Sequence, residues 1–167
     1  MTPKLPLEDV VETRLYRLFV EVVRNDPTLS KVVKTWKDWS DSAHDRVQIT
    51  SAGQLPAVEF WPGAGREQFA SPDAMKAELL IDVRVATAGL LIDNCWNLWG
   101  AVLRAVRPRD NVAAIILNRR FQEAGAETGR FLVTRPAFAT PPAPKDAANN
   151  SGAFEASGTF SLAYFNK

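Results

Sequence analysis

One cysteine, one histidine and no long apolar run set the first limits on this chain. Cys95 stands alone, so no disulfide can close within the chain and no thiolate cluster can hold a metal. His44 is also single. Zinc would need further His or Cys ligands, and no Gly-x-Ser-x-Gly turn seats a nucleophilic serine beside it, so an exposed loop histidine is expected. No apolar stretch approaches the roughly 20 residues of a membrane span, so no membrane partner is expected. The first nine residues hold no uninterrupted apolar segment, so neither a signal peptide nor an oxidising compartment is expected. A surplus of one charge is missing too: 20 Lys and Arg stand against 19 Asp and Glu, a formal charge of +1. Nucleic-acid binding needs a basic surplus on one face, so specific nucleic-acid recognition is not expected. Arg104, Arg107 and Arg109, and the pair Arg119 and Arg120, read as solvated helix ends.

What is present is an ordinary globular mix, 46% hydrophobic and 23% charged over 167 residues, which fits one domain spanning 1–167. Val10, Val11, Leu15, Leu18, Phe19, Val22 and Val23 recur at helical steps, with Glu12, Arg17, Glu21 and Arg24 on the other side. Asn25-Asp26-Pro27 stops that helix. Val32 to Trp39 reads either as an edge strand guarded by lysines or as a short helix with Trp36 and Trp39 one turn apart; the strand is preferred. Ser40 to Gln54 is polar and predicts a loop, with a brief strand near Val47 and Ile49.

Ala57 to Trp61 predicts a strand, and Pro62 to Asp73 a loop punctuated by Gly63, Gly65 and Pro72. Leu79, Ile81, Val83 and Val85 then alternate with Leu80, Asp82, Arg84 and Ala86, the period of a strand; Ser71-Pro72-Asp73 competes as a helix start. Leu91, Cys95, Leu98, Trp99, Val102 and Val106 form a helical stripe, widened by Ile92, Trp96 and Leu103, and Pro108 ends it. Asp110 to Ala124 predicts a further helix with Val112, Ile115, Ile116, Leu117 and Phe121 inward and Gly125 as its cap. A strand is predicted over 129–135, a flexible, exposed proline-rich loop over 136–152, and a last strand from Phe154 to Phe165 that is paired within the sheet. The fold class is α/β (α+β): a mixed, largely antiparallel sheet of about four to five strands packed with two to three helices.

Few residues here suggest chemistry. Gly63-Ala64-Gly65-Arg66 lacks the Gly-Lys-Ser/Thr ending of a phosphate loop and reads as a turn in a hairpin connection. Asp26, Asp82, Asp93 and Asp110 have no converging spacing for a divalent cation. Asp82 and Arg84 are expected to pair across strands or across a subunit boundary. No catalytic, cofactor-binding or metal-ligating residue is assigned, and no cofactor is expected. Five tryptophans exceed what a small core readily hides, so core and subunit interface both remain open for them.

The order of elements does carry a resemblance. A strand Leu55-Pro56-Ala57-Val58-x-Phe60 ends in Trp61-Pro62-Gly63, and a loop leads to a strand closing as Val83-Arg84-Val85-Ala86-Thr87. A helix with Asn97-Leu98-Trp99-x-x-Val102-x-x-Ala105-Val106 follows, and the chain ends in an apolar strand. This resembles the tail-terminator proteins of long-tailed bacteriophages, also known as tail completion or minor tail proteins. Residue detail is shared over Leu55 to Pro62 and Ile81 to Val106; the helix after Pro108 and the 136–152 segment depart from the pattern.

The resemblance implies a virion structural protein, not an enzyme, assembled in the bacterial host cytoplasm and located at the tail neck. It would form a homo-hexameric ring on the last ring of tail tube protein, end tube polymerisation and present a surface to the head–tail connector or stopper, with DNA passing through the ring. Ring closure needs heterologous contacts between two faces of one subunit. Candidates for subunit or tube contacts are Trp61, Arg66 and Phe69 around the 62–74 loop, with Trp36 and Trp39 as further candidates. The alternatives are a head–tail stopper or neck connector, and a small ligand-binding or enzymatic α/β domain using His44 or the Gly63–Arg66 loop.

Overall fold

The computed structural model describes residues 8–38, 52–63, 66–71, 74–89, 91–125, 132–134, 139–145 and 153–166. In chain order the elements are α1 (Val11–Arg24), α2 (Leu29–Val32), β1 (Thr35–Asp38), β2 (Ala57–Pro62), β3 (Arg66–Ser71), β4 (Ala74–Ala88), α3 (Ile92–Val106), α4 (Asn111–Gly125), β5 (Leu132–Thr134), β6 (Ala139–Lys145) and β7 (Ala153–Asn166), with a 3-10 turn at Ala52–Gln54. The strand preferred for 32–39 starts later than expected: Val32 closes the one-turn helix α2, and β1 pairs only from Thr35. The predicted stretch 40–51 and its Val47–Ile49 strand lie outside the described residues.

One sheet holds all seven strands in the order β1-β2-β4-β7-β5, with β3 also on β4 and β6 also on β7. β2 pairs with β4 from Ala86 to Ile81 and β3 continues from Glu78 to Ala74, so the two lie end to end along one edge of β4. β5 and β6 likewise lie end to end along β7, opposite 163–161 and 158–153. The sheet therefore has five rows, antiparallel except for β1 with β2. The mixed, mainly antiparallel α+β class expected from the sequence is what the chain adopts.

Two stretches expected as loops are strands. Within 62–73, β3 forms because β4 runs on past β2 and offers unpaired backbone, and this pairing overrides weak local pattern. Gly63 holds the row together. Its N–H donates to the Leu80 carbonyl at 2.7 Å, and a β-carbon there would come within 3.0 Å of that oxygen. Within 136–152, β6 forms despite its prolines, because an edge strand needs donors on one side only and the register steps between Thr140 and Ala143, across Pro141 and Pro142.

The helices share one face of this sheet. Leu15, Phe19 and Val23 of α1, Cys95, Trp99 and Val102 of α3, and Leu117 and Phe121 of α4 bury with Val58, Phe60, Ile81, Val83, Val85, Phe160 and Leu162. Aromatic rings link the layers. Trp36 stacks on Phe60 with centroids 6.1 Å apart, and Phe60 meets Phe19 edge-on at 6.3 Å. Phe19 meets Phe160 at 5.1 Å, and Phe160 meets Trp99 at 5.8 Å. Polar bonds fix α1 across the sheet: Tyr16 donates to buried Asp38 of β1 at 2.7 Å, and Tyr164 of β7 donates to Glu12. Asp26 accepts from the N–H groups of Thr28 and Leu29, both at 2.9 Å, starting α2, and Asp110 accepts from Ala113 at 2.8 Å, starting α4.

The other sheet face carries the polar half of the alternation. Thr159 donates to Asp82 at 2.5 Å and Ser161 to Glu78. Arg84 reaches Glu59 through Nη1 and Glu155 through Nε, both at 2.5 Å, so it pairs across strands inside the chain. This set is not an open polar face: Arg84 and Glu59 are almost fully buried, and Ala57, Ala86 and Ala153 bury beside Leu55 on that side. Burial opposes the charge on Arg84, but the hydrogen bonds and attraction of Glu155 and Glu59 outweigh it and raise its pKa. Arg84→Met should therefore cost about 3–5 kcal/mol in denaturant unfolding, because it strands a buried carboxylate. Arg120→Ala, which breaks the exposed 2.9 Å pair with Glu21, should cost about 0–1 kcal/mol.

Candidate functional site

The sequence-predicted contact residues fall on two neighbouring rows of the sheet. Trp61 is next to last in β2, opposite Asp82, and is half-buried. Arg66 and Phe69 lie in β3 opposite Glu78 and Met75; their side chains lie outside the described set. Trp36 sits on β1, its ring packed flat against Phe60, so at least part of it belongs to the core. Trp39 and His44 lie outside the described residues.

Among the described residues, no group of three His, Cys, Asp or Glu side chains could hold a metal ion. A shallow cleft beside α1 is lined by Arg17, Val20, Glu21, Arg24, Asn25 and Asp38. Its carboxylates already have partners: Glu21 pairs with Arg120 at 2.9 Å and Asp38 accepts from Tyr16 at 2.7 Å. Arg17 pairs with Asp9 at 2.6 Å. Burial pushes the Cys95 thiol up to about 11, so it is protonated at neutral pH and a poor nucleophile.

The helical layer provides the more distinctive surface. Val112 and Ile115 are 63% exposed and Ile116 is 57% exposed, against the inward position expected for all three. The correction has a geometric cause. The main packing partner of α4 is α1, and only Leu117 and Phe121, one turn apart, bury fully enough to join the core. At about 100° per residue, Val112, Ile115 and Ile116 fall on the opposite side of the helix. α4 thus has two apolar sides, and one remains uncovered. Leu91 and Trp96 on α3, placed in or beside its buried stripe by spacing, are also more than half exposed. The width of the apolar arc is visible in the sequence, but the side of it that turns inward is not.

These surfaces favour contact with another apolar surface. Large aliphatic side chains on a helix lose little by contact with a second apolar surface and gain on leaving water, at roughly 25 cal/mol per Å². Neither a protein-family model nor a curated protein shows a significant match to this chain.

Replacement separates the two sides of α4. Ile115→Lys should leave thermal unfolding within about 0.5 kcal/mol of the parent, whereas Phe121→Ala should cost about 3–5 kcal/mol. A thiol reagent at neutral pH should modify Cys95 only after the protein is unfolded; rapid reaction of the native chain would contradict its burial.

Proposed function

We propose that the chain is a virion structural protein that caps a bacteriophage tail tube as a homo-hexameric ring, ends tube polymerisation and offers the surface on which head and tail join. The observation that carries the association part of this reading is the uncovered apolar side of α4, Val112, Ile115 and Ile116; the tail-tube role rests on the sequence resemblance, from which that helix departs. An isolated subunit gains nothing from holding three aliphatic side chains in water. A subunit that fits against copies and neighbours needs such a surface.

Other features support the same reading. The layout that carries the resemblance, an N-terminal helix, a strand joined to a long strand, a buried-stripe helix and a C-terminal strand, is realised as one α+β domain. The hairpin of β2 and β3 against β4 is long: fifteen residues of strand extend about 50 Å, while a fifteen-residue helix covers about 22 Å. A formal charge of +1 lets copies meet without strong mutual repulsion. The partners are then further copies, the tail tube protein and a connector or stopper at the head, with DNA crossing the ring without base-specific contact and no cofactor involved. The protein would sit at the neck of the virion.

Mass measurement and electron microscopy of the purified chain, alone and with tail tubes, test this directly. Discrete rings of six copies and attachment at one end of the tube are expected. A strict monomer that ignores tubes and fills its cleft with a small ligand would overturn it.

A further inference from the structure

We draw no further inference here: the strongest candidate, the exposed apolar surface on the outer side of α4 at Val112, Ile115 and Ile116 together with the Trp96 flank of α3, carries nothing beyond the association already drawn from it, because nothing in the structure shows what covers it.

Discussion

The antiparallel register of β4 with β7 is the constraint on which the other elements depend. Fourteen consecutive positions pair, from Met75 with Asn166 to Ala88 with Ala153. A slip of one residue would carry Ile81, Val83 and Val85 to the polar face and bring Asp82 and Arg84 under the helices. The cross-strand bonds of Thr159 to Asp82 and Ser161 to Glu78 form in one register only, as does the bridge from Arg84 to Glu155. Because these strands lie far apart in the chain, their pairing also sets the frame to which both outer rows attach.

Phe19 translates that frame into helix position. Its ring touches Phe60 on one side of the sheet centre and Phe160 on the other, so α1 lies across the β2, β4 and β7 rows. Tyr16 and Glu12 then fix its rotation through Asp38 and Tyr164. α3 joins through Trp99 against Phe160, and α4 reaches the core mainly by way of α1. The order of attachment explains why α4 has the least cover. It is the helix held by another helix.

Elements with one buried face were legible in the sequence. α1, β2, the 77–87 part of β4, the α3 stripe and β7 all announce their period, and each forms where that period places it, except that Val10 and Leu91, counted in the helical stripes, precede their helices and lie exposed. Three things were not legible, for different reasons. β3 and β6 owe their strand conformation to a neighbour's free edge, and that edge is a tertiary fact. The cross-strand pairing expected of Arg84 is what the chain adopts, but its depth was not legible: alternation reports polarity, and only the fold shows that Arg84 and Glu59 are almost fully buried. Val112, Ile115 and Ile116 belong to an arc too wide for one interface, and periodicity cannot tell which part of such an arc turns inward. Of the aromatic contact candidates, Trp36 packs partly buried against the core and Trp61, next to last in β2, is half-buried.

The prolines of β6 have a consequence for how copies can meet. Pro141, Pro142 and Pro144 have no amide hydrogen to offer, and they occupy the outermost row on the β7 side of the sheet. A foreign strand laid along β6 would find too few donors to zip up, so this part of the margin resists fusion with the sheet of an adjacent molecule. Crowded copies are thereby kept from fibrous stacking at this margin, and any ordered partnership is steered toward side-chain fit.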